Sequence, residues 1–403
     1  MAEITTTYTA FSHITQEERL LIAMQPQKLF IGIPKETSFQ ENRVALTPES
    51  VAVLVNNGHR VVVETKAGEK SSFTDHDYSE AGAIIVYDTA EVYQADIIIK
   101  VAPMSLKEVM MTKYNQTVFS ALHLPTLEAS YLKHLIEKKV TAIAYEYIKD
   151  DYGRFPIVRV ISEIAGSAAI LIGAEYLSNI NNGQGLLLGG IAGVPPARVV
   201  ILGGGAVGEY ATRTALGLGA EVRVFDNSIY KLMRLQNNVN IRIYTSIINP
   251  ALLSTELSKA DLVIGAIHSE AGRTPIIVTK EMVSHMKPGS VIVDVSIDQG
   301  GCFETSRITN HKNPVFRQFD VIHYCVPNIA SRVSKTASAA LSHVLIPILQ
   351  RAQKHANFDQ FMLNNVGMRN GIYLYKGHVT NLYLSQRFEM KYTNLDLLLS
   401  SSM

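Results

Sequence analysis

The sequence predicts an α/β protein with two doubly wound domains, their sheets mainly parallel and the active site in the cleft between them. Three observations predict it. Short apolar runs alternate with helix-period segments along most of the chain, a pattern whose crossovers force parallel strand pairing. The 403 residues, 47% hydrophobic and 18% charged, are enough for two cores. A long apolar segment rich in small residues, followed by a glycine-rich loop, splits the strand–helix series in two.

In the first half, "KLFIGIP" reads as a buried strand, "TPESVAVLVNNG" as a helix stopped at Gly58, and "HRVVVET" as a second strand. "ADIIIKV" and "QTVFSAL" are strands, "TLEASYLKHLIEKK" a helix and "VTAIAYEY" a strand. "RVISEIAGSAAILIGAEYLSNI" reads as one helix whose small residues suit close packing between domains, and "NNGQGLLLGGIAGVPPA" as a loop. A second series runs from Arg198 to about Val326, and "SKTASAALSHVLIPILQRAQ" is helical again. The expected plan is an N-terminal arm, 1–28, and a substrate domain from 29–157 and 335–403. Residues 158–334 form the second domain. The tail "NLYLSQRFEMKYTNLDLLLSSSM" is too apolar to be free and is expected to pack on the body or on a neighbouring subunit.

A net charge of +1 points away from nucleic acid and from anionic membrane surfaces. The two cysteines, Cys302 and Cys325, make no disulfide framework and lack metal-ligand spacing. A cytoplasmic setting is expected, because no signal peptide opens the chain and no apolar run is expected to reach membrane-spanning length.

The sharpest motif is "RVVILGGGAVGEYATRTALGLGAEVRVFDN". A buried strand runs directly into Gly203-x-Gly205-Ala206-Val207-Gly208, a helix follows, and the next strand ends at Asp226. Strand, glycines, helix, strand and acid together form a Rossmann-type dinucleotide site. Gly203 permits the tight turn, Gly205 clears space for pyrophosphate and Gly208 lets the helix approach the strand. The helix N-terminus offers free N–H groups to the phosphates. Asp226 is placed for the adenosine ribose hydroxyls, which favours NAD over NADP; Arg223 and Arg234 nearby temper that preference.

Polar groups stranded among apolar ones mark the candidate chemistry. His123 stands at a strand end before Pro125, Lys35, Glu36 and Arg43 follow the first strand, and Lys100 closes "ADIIIK". Asp298 lies in "VIVDVSIDQGG", where a strand meets Gly300 and Gly301. Open α/β sheets bind ligands at such strand ends. Asp294, read as mid-strand, has a structural role as a backbone cap.

The blocks "IGIPKET…ENRVALTP", "GHRVVVETKAG", "TAIAYE", "SEIAG", "LLLGGIAGVPPARVVILGGGAVG", "ADLVIGA", "HMKPGSVIVDVSIDQGGCFETSR" and "YKGHVT" resemble alanine dehydrogenase. The wider family includes the NAD-binding subunit of transhydrogenase. The resemblance runs from about Leu29 to Thr380 and implies reversible oxidative deamination of L-alanine to pyruvate and ammonium by a hexamer. It implies His123 as general acid and base, Asp298 positioning water and balancing the ammonium, and Arg43 holding the substrate carboxylate. It places Ser162 and Asn328 near the cofactor. The departures are local. The family's Lys-Val-Lys-Glu-Pro strand end is Lys100-Val101-Ala102-Pro103, closer to the transhydrogenase form. Ser120 replaces an aromatic, and "IASRVSK" replaces a Met-Pro turn. Lys100, on the same strand face as Ala102, is expected to reach forward to the substrate in place of the missing lysine. Two alternatives remain open: the same chemistry on another amino or 2-keto acid, or a transhydrogenase-like NAD(H)-binding subunit.

Overall fold

Strands β1 (Phe30–Ile33), β2 (Arg60–Glu64), β3 (Ile84–Val86), β4 (Ile97–Ile99), β5 (Thr117–Ser120) and β6 (Thr141–Ala144) form most of one sheet. Strands β7 (Arg198–Leu202), β8 (Glu221–Phe225), β9 (Tyr244–Ser246), β10 (Leu262–Gly265), β11 (Val291–Asp294), β12 (Val315–Gln318) and β13 (Val321–Tyr324) form a second. The chain then returns to the first sheet through β14 (Ile372–Tyr375) and β15 (His378–Val379). This computed structural model describes residues 28–122, 127–269, 272–353, 355 and 357–400. The expected arm at 1–28 lies outside them apart from its last residue.

The first sheet is ordered β15-β14-β6-β5-β4-β1-β2-β3 and the second β12-β13-β11-β10-β7-β8-β9. All pairings are parallel except those of β14 with β6, β15 with β14, and β12 with β13. Winding therefore reverses between β1 and β4 in the first sheet and between β7 and β10 in the second. Loops leaving the carboxyl ends of neighbouring strands diverge there, and each reversal opens a crevice for a ligand. The loops after β1 and β4 carry Arg43 and Lys100, while the loop after β7 carries Gly203.

The long apolar segment is one helix, α1 (Pro156–Leu177), laid on the second sheet. At 22 residues it is long and apolar enough to cross a membrane by length and composition, contrary to the expectation that no run would be. Its packing identifies it as a core helix. Ala168, Ala169, Ile170, Ile172 and Leu177 share a buried cluster with β7, β10 and β11 residues. Its small residues admit the neighbouring α2 (Ala206–Gly217): a Cβ on Gly166 would lie 2.2 Å from the Val207 carbonyl oxygen.

Helix α3 (Ser334–Gln353) carries the chain back to the first sheet. Leu341, Leu345 and Leu349 join Ile31, Leu46 and Val51 in its core. Two serines on α3 serve the backbone of the loop that precedes the helix Pro48–Asn56. Ser338 Oγ accepts from Val44 N at 2.9 Å and Ser342 Oγ from Thr47 N at 3.0 Å. The apolar tail packs on the body, with Leu384 and Leu399 fully buried.

Candidate active site

At the first reversal, the loop after β1 turns Arg43 inward, where it is 9% exposed. Arg43 Nε donates to Glu41 Oε1 at 2.8 Å and Nη2 to Glu41 Oε2 at 2.7 Å, a two-pronged ion pair. The pair occupies the Nε/Nη2 edge of the guanidinium and leaves the Nη1/Nη2 end. Among the described residues, none accepts a hydrogen bond from Nη1. Burial opposes charge on Glu41, yet the hydrogen bonds and charge of Arg43 hold its carboxyl below the usual range.

Lys100 does not reach forward. Its ammonium is fully buried, 2.5 Å from Glu108 Oε1 and 3.4 Å from Glu36 Oε2. Glu108 is held by a reciprocal cap with Ser105, whose N–H donates to its Oε2 at 2.6 Å. Glu36 accepts from Val101 N at 2.5 Å and so fixes the end of β4 beside Ala102. Burial pushes the Glu36 carboxyl up to about 7 against the lowering charge of Lys100. The expected lysine-for-lysine replacement is therefore not the arrangement found: two buried carboxylates claim Lys100 instead.

His123 lies outside the described residues. Its neighbour Leu122 is fixed by Glu146, whose Oε1 accepts from Leu122 N at 2.7 Å. The Tyr145 hydroxyl donates to the Val101 carbonyl and ties β6 to the end of β4. A cavity of about 330 Å³ opens nearby, lined by Thr37, Met104, Ser105, Leu122, Leu127 and Tyr131 among others.

At the second reversal the glycine turn has the form a dinucleotide needs. Gly203 has φ +110°, and a Cβ there would lie 2.3 Å from the Ala266 carbonyl oxygen. A Cβ on Gly208 would meet the Gly203 carbonyl oxygen at 1.8 Å, so only glycine lets α2 start so close to β7. Gly205, the N-cap of α2, has open space in front of it and no side-chain cap over the first N–H groups, those of Ala206 and Val207 among them. Asp226 is 7% exposed; its Oδ2 accepts from Gly204 N and its Oδ1 from Ser228 N, both at 2.7 Å. Arg223 turns away to Glu221, 2.7 Å distant, and stacks over Tyr244. Arg234 stays at the turn and donates to the Gly204 carbonyl at 3.1 Å. Ser162, on α1, is half-buried.

Asp294 is the last residue of β11, not a mid-strand one. It caps a 3₁₀ turn, Val295–Gln299, and accepts from Ser296 N, Cys302 N and Ser306 Oγ. Asp298 rides on that turn rather than on the strand end itself. Gly300 and Gly301, with φ of +96° and +82°, close the turn behind it. Asp298 is exposed, and its Oδ1 accepts from Asn328 N at 3.0 Å.

The two sides meet through Asn328, a left-handed residue whose Nδ2 donates to Glu41 Oε2 at 2.8 Å. Arg43, Glu41, Asn328 and Asp298 thus form one hydrogen-bonded chain across the two sheets. Beside it, Asn42 N donates to Ser331 Oγ at 2.9 Å and Ser331 Oγ to the Gln40 carbonyl at 2.8 Å. Sequence reasoning missed Glu41, Glu108, Tyr145, Glu146 and Ser331. The Ser105-x-x-Glu108 spacing is a legible capping signal. Glu41, two residues from Arg43, follows the same-side spacing of extended chain. Tyr145, Glu146 and Ser331 carry no local signal.

A glycine turn at one reversal, an arginine fork at the other and a carboxylate between them define a two-domain, dinucleotide-binding protein of the dehydrogenase type. Models of the N-terminal and C-terminal domains of Alanine dehydrogenase/PNT match residues 32–165 and 169–382. Alanine dehydrogenase 2 of Staphylococcus aureus (strain USA300) is 40% identical over 368 residues, 91% of this chain and 98% of that protein. The chain belongs to the alanine dehydrogenase/PNT family. A solved L-alanine dehydrogenase superposes with a TM-score of 0.84 at 36% identity, covering 89% of this chain and 99% of that one. A transhydrogenase from Sinorhizobium meliloti gives 0.74 at 25% identity, over 88% and 99% of the respective chains.

Proposed function

We propose that this protein is an NAD-dependent L-alanine dehydrogenase, converting alanine, water and oxidised cofactor to pyruvate, ammonium, reduced cofactor and a proton. The observation that carries the reading is the chain from Arg43 to Asp298, which sets a carboxylate-binding fork and an exposed carboxylate on opposite sides of one cleft. Residues 29–157 and 335–403 form the substrate domain and 158–334 the nucleotide domain. Gly203, Gly205, Ala206, Val207 and Gly208 cradle the pyrophosphate, and Asp226 takes the ribose hydroxyls through lone pairs its backbone contacts leave over. Asn328 and Ser162 line the nicotinamide side. NAD, when bound, accepts the hydride of the substrate Cα.

Arg43 offers its free end to the substrate carboxylate and thereby fixes which face of Cα is presented. Asp298 sits beside the substrate nitrogen, balances the ammonium charge and orients the attacking water. His123 takes the proton from that water and returns one to the departing amine nitrogen. The chain works in the cytoplasm as a homo-oligomer, a hexamer as its resemblance implies.

A second reading draws on the burial of Lys100. With Ala102 in place of a lysine and Lys100 engaged by Glu36 and Glu108, the substrate pocket lacks one cation. That favours the same chemistry on another amino or 2-keto acid. The test follows NADH in both directions, with alanine and NAD, then with pyruvate, ammonium and NADH, beside a panel of other acids. Alanine-preferring turnover supports the first reading and a different preferred acid the second. NADH binding without any turnover rejects both in favour of a transhydrogenase-like binding subunit.

A further inference from the structure

Glu41 makes polar contacts with both domains. Its Oε1 accepts from the Nε of Arg43 at 2.8 Å and from the backbone N of the same residue at 3.0 Å. Its Oε2 accepts from Arg43 Nη2 at 2.7 Å and from Asn328 Nδ2 at 2.8 Å. Its own carbonyl accepts from Lys70 Nζ at 3.1 Å. The residue is 3% exposed, so the carboxylate has four donors and almost no water. Arg43 and Asn328 stand at opposite walls of the cleft, 285 residues apart by their numbers (328 − 43).

A salt bridge that only held the first domain together would have no need of Asn328. From these contacts we propose that Glu41 is the positioning residue of the active site: it orients the Arg43 fork for the substrate carboxylate and transmits closure of the nucleotide domain to that fork through Asn328. This deepens the proposed function and rests on it. The physical argument has two steps. An arginine side chain has several rotatable bonds, and a bidentate partner on its Nε/Nη2 edge fixes the plane of the remaining Nη1/Nη2 edge. Because Glu41 Oε2 is shared between Arg43 Nη2 and Asn328 Nδ2, any shift of Asn328 changes the position of the guanidinium. Asn328 also donates its backbone N–H to Asp298, so the fork and the carboxylate move as one unit.

The experiment compares Glu41→Ala and Glu41→Gln with the unaltered protein. It measures kcat and KM for alanine, the Kd for NADH, and the factor by which saturating pyruvate without ammonium tightens NADH binding. Glu41→Ala is expected to raise KM for alanine by about tenfold and to lower kcat/KM by about 100-fold. Its Kd for NADH alone is expected to stay within about threefold, and the pyruvate–NADH coupling to fall toward one. Glu41→Gln keeps an acceptor for Arg43 Nε and is expected to lie between, with a partial rescue of KM. If Glu41→Ala does not fold, judged by circular dichroism, Glu41→Gln carries the same comparison. Unchanged KM and undiminished coupling in a protein that turns over alanine overturn the role of Glu41 and leave the functional reading standing. No turnover by the unaltered protein overturns the functional reading, and the positioning role with it.

Discussion

Lys100 shows how a candidate substrate contact can be engaged by its own neighbours. Its ammonium sits between Glu36 and Glu108 with no exposure. Replacing it by methionine leaves two carboxylates buried without a cation, which costs about 3–5 kcal/mol. Urea unfolding is expected to show that loss, and adding Glu108→Gln to recover part of it. Glu36 makes the second prediction. Its folded pKa of about 7 lies above its ordinary 4.5, so the folded protein holds more protons between those values. Its contribution is complete below 4.5 and is lost as pH rises through about 7. Asp294, pushed up to about 6 by burial, acts in an overlapping window. Glu36→Gln removes one of the two, so its melting temperature is expected to fall less between pH 5 and 8 than that of the unaltered protein.

The packing of α2 against its neighbours rests on single hydrogen atoms. A methyl group at Gly208 would overlap the Gly203 carbonyl at 1.8 Å, and one at Gly166 would press on the Val207 carbonyl at 2.2 Å. The two sites predict different losses. Gly208→Ala displaces the start of α2 and its N–H groups, so NADH affinity measured by fluorescence titration is expected to drop by about 100-fold or more. Gly166→Ala acts through helix–helix distance, and stability is expected to fall before affinity does. The glycine turn itself was legible because five local features coincide in the sequence. The turn carrying Asp298 was legible only in part: alternation hid the break at Asp294, where backbone donors from Ser296 and Cys302 convert a strand residue into a cap.

Across the molecule, the first sheet is finished by chain from the far end of the sequence, while the second is built from consecutive strands. Helix α3 and strands β14 and β15 return to the first sheet after the second is complete. The tail seals that return: Leu399 is buried in the first core, and Asp396 pairs with Arg369 at 2.5 Å. Leu399→Ala is expected to cost about 2–5 kcal/mol. The check is a shift of the urea midpoint without a change in slope, which reports lost packing rather than a changed unfolded state.

The alternation of strands and helices, the dinucleotide turn with its acid and the family blocks were all determined by the sequence itself. These are local signals: a period, a spacing or an ordered motif survives without knowledge of what packs where. Whether Lys100 reaches a substrate or a pair of carboxylates was not local. It depends on Glu36 and Glu108, which come from a different loop and a different helix. The link from Arg43 through Glu41 and Asn328 to Asp298 was less local still, since its members join only when loops from the two sheets meet. A buried charge takes the partner that tertiary packing brings within hydrogen-bonding distance, and no spacing along the chain encodes that distance.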